Sequence, residues 1–230
     1  MDKRTSAFEG CCDRCKLLKV ACICPYRPKI DSAFEFCLLT HAAEYRKPTN
    51  TGRLIADCLQ STRLYTWSRT EIDIGLQRDL ADSRYQHWLV YPAENTEQKD
   101  RVMSFDASVS TTGKNHEKQQ VFILLDATWQ QAAKMFRKSP YLNHLPILSL
   151  SPERLSQYQL RRASQLNHLC TAEVAIELLN LAGEKANASI LEDYFLVFSQ
   201  HYMAARSGHG VKQESEQMRR LLKEHHHEIN

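Results

Sequence analysis

Residues 121–129 read Val-Phe-Ile-Leu-Leu-Asp-Ala-Thr-Trp, and the fold follows from this stretch. Its five leading residues are large or β-branched and include neither Gly nor Pro, which predicts a strand buried on both faces, as in a parallel sheet. A helix is predicted next, because four apolar side chains fall on one helical face: Trp129, Ala132, Ala133 and Phe136. The sequence therefore predicts a buried parallel strand that leads directly into a helix.

Asp126 lies at the junction between this predicted strand and the predicted helix. In open α/β sheets, ligands bind beyond the carboxyl ends of the strands, so a carboxylate at this position is a candidate functional group. The simpler interpretation is that Asp126 or Thr128 caps the N-terminus of the helix, since both residue types are favoured there.

Length and composition predict one compact domain with a small appendage. The chain has 230 residues, of which 43% are hydrophobic and 25% charged, enough for a full core. No stretch approaches the roughly 20 apolar residues of a membrane span. The first residues lack the apolar segment of a secretory signal. We therefore expect a soluble cytoplasmic protein that has no membrane partner.

Two segments of the chain are locally basic, although the net charge is only +3. Residues 1–30 contain seven Lys or Arg against three acids, and residues 126–170 contain six against two. Clustered positive charge is typical of a surface that binds a phosphate backbone. An ordinary solvated surface could have the same composition.

Cysteines are concentrated near the N-terminus, where five of the eight lie within residues 11–24. In a cytosolic protein such a cluster indicates metal binding more than disulfides. We predict a closed structural Zn²⁺ site with four thiolates: Cys12, Cys15, Cys22 and Cys24. The fourth ligand is the least determined, with Cys11, Cys37 or a His as substitutes, and free buried thiols are the alternative to a metal site.

Further strands and helices alternate along the chain, which favours an α/β fold. Strands are predicted over 34–40, 62–67, 85–92 and 145–150, and helices over 53–59, 169–179, 189–206 and 211–227. The polar residues 93–120 predict a long surface loop. The chain lacks the glycine patterns of classical Rossmann and P-loop folds.

Several motifs together resemble those of the DTW-domain family. Asp126-Ala127-Thr128-Trp129 resembles its D-x-T-W signature, and residues 41–52 resemble a second signature with a His, a Glu and Lys-Pro-Thr-Asn-Thr-Gly. The N-terminal cysteines, a Tyr-x-Leu-Arg element at 158–161 and a Cys-Thr-Ala-Glu element at 170–173 also match. The resemblance covers nearly the whole chain, from Cys12 to about Leu181.

This resemblance implies a tRNA-uridine aminocarboxypropyltransferase. S-adenosylmethionine would donate its 3-amino-3-carboxypropyl group to N3 of a tRNA uridine and leave as methylthioadenosine. Asp126 would be the base that removes the N3 proton. Residues expected to contact the donor are Thr49, Asn50, Thr51, Gly52, Leu125, Thr128, Leu148 and Leu150.

The basic residues expected to contact RNA are Lys134, Arg137, Arg161 and Arg162. Arg161 is a candidate for an RNA phosphate or for the donor carboxylate, although surface solvation is an equal alternative. Two other functions are compatible with the sequence. One is RNA methylation with the same donor, and the other is zinc-dependent RNA binding without catalysis.

The expected architecture is a mostly parallel α/β sheet flanked by helices. Because related ribosomal-RNA enzymes resemble SPOUT-type folds, we extend the expectation to a SPOUT-like core with a knotted cofactor site. The expected organisation is a zinc-binding segment at 1–30, a catalytic domain at 31–206 and a helical tail at 207–230.

Overall fold

A computed structural model describes residues 10–105, 118–150 and 169–227. Its five strands are β1 (Glu35–His41), β2 (Thr62–Trp67), β3 (Tyr85–Val90), β4 (Gln119–Asp126) and β5 (Ile147–Leu148). All of them pair in parallel, in the order β2-β1-β4-β3-β5. The helices are α1 (Gly52–Cys58), α2 (Ile74–Ala81), α3 (Trp129–Arg137), α4 (Thr171–Leu181), α5 (Lys185–Arg206) and α6 (Glu216–His227).

Strand β4 lies at the centre of the sheet and is buried on both faces, as predicted. Phe122 and Leu124 belong to the core on one face, whereas Val121 and Ile123 belong to the core on the other. This alternation explains the unbroken apolar run, because successive side chains enter one core or the other; the first four are buried and Leu125 is partly buried.

Helices cover both faces of the sheet. Four of them, α1, α4, α5 and α6, supply apolar side chains to one core, including Leu54, Leu178 and Tyr194. The other two, α2 and α3, supply Leu76 and Met135 to the opposite core. The result is a three-layer α/β fold, which confirms the predicted fold class.

Both ends of the described chain join the first of these cores. Leu17 and Ile23 of the cysteine-rich segment and Met218 and Leu221 of α6 are buried in it. The boundaries expected at residues 30 and 206 stay a prediction.

Three local predictions need correction. Helix α2 was not predicted. It buries only Leu76, so its sequence shows no apolar stripe of the kind that indicates a helix. Strand β5 is only two residues long. Residues 93–120 are not one polar loop, since 119–120 belong to β4 and the Phe105 ring packs edge-on against Trp88 and Phe122.

Some expectations fall on residues 106–117 and 151–168, which lie outside the described part of the chain. These include Arg161, Arg162 and the Tyr-x-Leu-Arg element. The expected knot stays a prediction as well. Within the described residues, every helix is too short or too polar to span a bilayer.

Candidate active site and metal centre

Strands β1 and β4 meet at the carboxyl edge of the sheet, with Thr40 directly opposite Asp126. The two strands are neighbours, yet β1 leads to β2 on one side and β4 leads to β5 on the other. Such a switch in direction leaves a crevice at the carboxyl ends of parallel strands, where α/β proteins bind ligands. Asp126 therefore ends its strand at the expected place for a site.

The Asp126 side chain is only 3% exposed and accepts three side-chain hydrogen bonds. Its Oδ2 atom accepts from Asn50 Nδ2 at 2.8 Å and from Thr40 Oγ1 at 3.3 Å. Its Oδ1 atom accepts from Thr171 Oγ1 at 2.9 Å. The carboxylate is thus held in one orientation by Asn50 of the second signature, Thr171 of the Cys-Thr-Ala-Glu element and Thr40 of β1.

Burial is the main influence on the pKa of Asp126 and raises it above the ordinary aspartate value. The hydrogen bonds from Asn50, Thr171 and Thr40 act in the opposite direction, whereas the nearby Glu44 carboxylate adds to the increase. A raised pKa means that the ionised form binds a proton more readily than an exposed aspartate does. The environment therefore favours a role as proton acceptor.

Thr128, and not Asp126, caps helix α3. The Thr128 hydroxyl accepts a hydrogen bond from the Gln131 backbone N–H, and the Gln131 side chain accepts from the Thr128 N–H at 3.1 Å. This reciprocal pair is a capping box, which satisfies two helix donors. The capping interpretation therefore applies to Thr128 and leaves the Asp126 carboxylate to its own network.

Glu44 is a second buried carboxylate beside Asp126, and its exposed fraction is 0%. Lys47 Nζ donates to Glu44 Oε1 at 2.5 Å, and Asn50 Nδ2 makes a longer contact of 3.5 Å to Oε2. The Asn50 amide thus lies between two carboxylates, while Lys47 supplies the compensating charge. No role for Glu44 was predicted, although it forms part of the second signature.

Gly52 approaches Asp126 so closely that no side chain fits at this position. A Cβ atom on residue 52 would lie 2.6 Å from Asp126 Cγ and 2.7 Å from both carboxylate oxygens. The turn that contains Gly52 also contacts α4, since Thr51 Oγ1 accepts from the Ala172 N–H at 3.3 Å. The second signature therefore packs against the carboxylate and the start of α4.

We expect Gly52→Ala to destabilise the protein by about 1–3 kcal/mol, the usual cost of overpacking. The three atoms nearest to the added methyl group are all ones that Asp126→Ala would remove, so the two changes should be strongly coupled. Chemical denaturation of both single variants and the double variant measures this coupling. Additive losses would show that the methyl group clashes elsewhere.

A cavity of about 130 Å³ lies at the same edge of the sheet, between β3, β4, α3 and α4. Most of its lining is apolar. The described lining residues are Val90, Tyr91, Pro92, Glu94, Leu124, Leu125, Ala127, Trp129, Ala132, Leu150, Leu169, Thr171 and Val174.

The expected donor contacts divide into two groups. Leu125 and Leu150 line the cavity, and Trp129 lies beside them. The others are placed elsewhere by the described structure: Thr49, Asn50, Thr51 and Gly52 in the turn behind Asp126, Thr128 in the cap of α3, and Leu148 in the buried strand β5. One backbone N–H at this helix start is already engaged, since Asn50 Oδ1 accepts from the Arg53 N–H at 3.0 Å. The expectation that the turn's N–H groups bind a ligand stays a prediction.

Thr171 connects the cavity to the buried carboxylate. Its side chain lines the cavity, and its hydroxyl donates to Asp126 Oδ1. Asp126 itself is absent from the described lining, although Leu125 and Ala127 on either side of it are present. A group in the cavity therefore reaches the carboxylate through the Thr171 hydroxyl, a role that the Cys-Thr-Ala-Glu element did not predict.

The four predicted cysteine ligands come together. Their Sγ atoms all lie within 4.8 Å of one another, with Cys12 to Cys24 at 3.7 Å and Cys15 to Cys22 at 3.8 Å. A tetrahedral ion with Zn–S bonds of about 2.3 Å requires sulfur–sulfur distances of about 3.8 Å. The cluster could therefore hold a metal ion. Cys24 completes it, so neither Cys11 nor Cys37 is needed.

Arg53 ties the cysteine cluster to the motif residues around Asp126. Its guanidinium donates to the Cys15 carbonyl at 2.9 Å and to the Lys47 carbonyl at 3.3 Å. The same residue follows Gly52 in α1. The position of the cysteine loop is therefore coupled to the turn that packs against Asp126.

The expected RNA-contact residues on α3 are exposed. Lys134 and Arg137 lie on the helix whose first turn, with Trp129, lines the cavity. The two positive charges therefore lie on the same helix as Trp129, about one to two helical turns further along α3.

The α/β fold and the motifs around Asp126 together indicate the family to which this chain belongs. The DTW domain model matches residues 9–203, and the chain therefore belongs to the DTW-domain family.

Among curated proteins, the chain is similar to three named "tRNA-uridine aminocarboxypropyltransferase 2". The one from Mus musculus is 28% identical over 183 residues, which cover 76% of this chain and 57% of the relative. The one from Macaca fascicularis is 25% identical over 76% of this chain and 57% of the relative. The one from Drosophila melanogaster is 28% identical over 73% of this chain and 64% of the relative. The chain thus spans less than two thirds of each relative's length. No solved structure matches it.

Proposed function

We propose that this protein transfers the 3-amino-3-carboxypropyl group of S-adenosylmethionine to N3 of a uridine in tRNA. The observation that carries the proposal is the convergence of three family motifs on the Asp126 carboxylate, next to an apolar cavity. The named activity of the relatives supports the reaction type.

The cavity is proposed to bind the donor. Its apolar lining, which includes Leu125, Leu150 and Trp129, suits the adenine ring and the methylthio group. Transfer requires the aminocarboxypropyl chain, and not the methyl group, to face the target base, so positioning in the cavity decides the product.

In the proposed reaction, uridine N3 attacks the γ-carbon of the donor. A carbon–nitrogen bond forms, the carbon–sulfur bond breaks, and the electron pair of that bond leaves with neutral methylthioadenosine. The N3 proton passes to Asp126 through the Thr171 hydroxyl, which already donates to Oδ1. Asn50 and Thr40 hold the other oxygen and keep the carboxylate oriented.

Zinc is proposed as the ion of the four-cysteine cluster, because the sulfur spacing fits its tetrahedral geometry. Four thiolates leave no open position, so the ion would stabilise residues 12–24 without taking part in the reaction. Arg53 would transmit this order to the second signature.

The finer features of the fold are proposals of the same kind. A SPOUT-like core is supported by the all-parallel sheet and by the position of the cavity at its carboxyl edge. The division into a zinc segment at 1–30, a catalytic domain at 31–206 and a tail at 207–230 is supported by the placement of the cysteines and of Asp126.

Product analysis with purified protein, donor and tRNA tests the proposal. Methylthioadenosine and a tRNA nucleoside that has gained the aminocarboxypropyl mass are expected. S-adenosylhomocysteine as the product would instead show methyl transfer. A protein that binds tRNA and no donor in calorimetry would be a binding module.

We expect tRNA binding to weaken steeply with salt, because basic residues that neutralise phosphates release counterions. Replacing Lys134 and Arg137 by Ala should reduce the slope of log affinity against log salt by about 2. The matched control replaces Lys212 and Arg219, an exposed basic pair near and on α6. An unchanged slope for the α3 variant would place the RNA on another surface.

A further inference from the structure

Glu94 is the only charged side chain among the described residues that line the cavity. It is exposed and lies in the short turn Ala93–Asn95, just after β3 and Pro92. The remaining described lining is apolar, apart from the hydroxyl groups of Tyr91 and Thr171. The cavity therefore combines an apolar interior with one negative charge.

Neighbouring contacts fix the turn that carries Glu94. The Ala93 N–H donates to Ser149 Oγ at 2.9 Å, and Lys99 Nζ donates to the Ala93 carbonyl. The preceding Tyr91 ring stacks on Phe136, with ring centroids 4.1 Å apart and planes inclined by 10°. The backbone that carries Glu94 is thus fixed by hydrogen bonds, and it follows the stacked pair of Tyr91 and Phe136.

Two charged residues, Glu94 and Arg137, lie near the Tyr91 hydroxyl. Burial raises the pKa of Tyr91, Arg137 lowers it and Glu94 raises it, so both charges are within electrostatic reach of the Tyr91 hydroxyl. Lys99 is a third charged group close to the turn, but its ammonium already donates to a backbone carbonyl. Within the described residues, no ion pair engages the Glu94 carboxylate.

These features complement one charged group of the proposed donor. S-adenosylmethionine has a neutral adenine end, a sulfonium centre and an amino acid end with an α-ammonium and an α-carboxylate group. A carboxylate at the edge of an apolar cavity can accept charge-assisted hydrogen bonds from such a group, which are about twice as strong as neutral ones.

We propose that Glu94 binds the α-ammonium group of S-adenosylmethionine and thereby distinguishes the donor from the spent product. The inference rests on the proposed function, because it assumes that the cavity holds the donor. Once the aminocarboxypropyl group has moved to uridine, methylthioadenosine carries no ammonium group. The product therefore loses this contact, and its release becomes easier than release of the unreacted donor.

Calorimetry of the intact chain with three ligands tests this inference. Glu94→Gln keeps the size of the side chain and removes its charge. We expect about tenfold weaker binding of both S-adenosylmethionine and S-adenosylhomocysteine, which share the ammonium group, and unchanged binding of methylthioadenosine. Glu97→Gln is the matched control, since Glu97 is exposed three residues away and does not line the cavity.

Each other result overturns the inference in a recognisable way. Weakened binding of S-adenosylmethionine alone would assign Glu94 to the sulfonium. Equal weakening of all three ligands would show that Glu94 only shapes the cavity, and donor affinity within twofold of the wild type would show that it makes no contact. A wild-type protein that binds none of the ligands would instead refute the proposed function.

Discussion

Asp126→Asn is expected to reduce transfer by about 10²–10⁴-fold, the usual cost of losing a general base. The variant should fold normally, because Asn can keep all three hydrogen bonds. Its Oδ1 atom can accept from Asn50 and Thr40, and its Nδ2 group can donate to Thr171 Oγ1, whose hydroxyl now accepts. Single-turnover kinetics with tRNA would measure the rate.

Stability and donor affinity separate loss of a base from loss of structure. The raised pKa of Asp126 shows that the folded state disfavours its ionised form, so the neutral Asn should not lower the melting temperature at pH 7. Donor affinity measured by calorimetry should also be retained. Wild-type turnover by Asp126→Asn would mean that Asp126 is structural and that another group, or water, takes the proton.

The Thr171 relay allows a matched pair of variants. Thr171→Val keeps the shape and removes the hydroxyl, whereas Thr171→Ser keeps the hydroxyl. If the proton passes through this side chain, only the Val variant should lose activity. Equal activity of the two variants would exclude the relay. The Asp126→Asn result would then still test Asp126 as the base.

Cys15→Ser is expected to abolish tight metal binding, lowering zinc from one ion per chain to near zero. Apparent binding free energies for structural zinc are about 10–16 kcal/mol in zinc-finger peptides, so the loss of order should be large. Elemental analysis of freshly purified protein would measure the metal, and amide hydrogen exchange would locate the loosened residues at about 10–30.

Cys11→Ser is the control for this prediction. Cys11 lies next to Cys12 in sequence, but it is outside the four-sulfur cluster, so the same substitution should leave the zinc content unchanged. Wild-type protein purified without zinc would refute the proposed ion. Because Leu17 and Ile23 belong to the main core, Cys15→Ser should loosen the segment without unfolding the sheet.

The sequence predicted the features that depend on local pattern. The unbroken apolar run identified β4, and the end of that run placed Asp126 at the carboxyl edge. The cysteine spacing identified the four-thiol cluster that could hold a metal ion, since the four thiols are close in sequence. In each case the decisive information lies within a few residues.

The partners of Asp126 were not predictable in the same way. Asn50 and Thr171 are 76 and 45 residues from it, and their contacts depend on how the layers pack. Gly52 shows the difference most clearly. Its place at a helix start suggested open backbone donors for a ligand, whereas the structure shows that a glycine is needed because a carboxylate occupies the space of its side chain.

The parallel pairing of β1 with β4 has a consequence for folding. It joins Thr40 to Asp126 across 86 residues of chain, and contacts of such separation form slowly because long loops must close first. The Asp126 network therefore cannot exist in a fragment or intermediate that contains helices but lacks this pairing. Recovery of catalysis during refolding would report completion of the whole sheet, whereas circular dichroism of the helices would report earlier events.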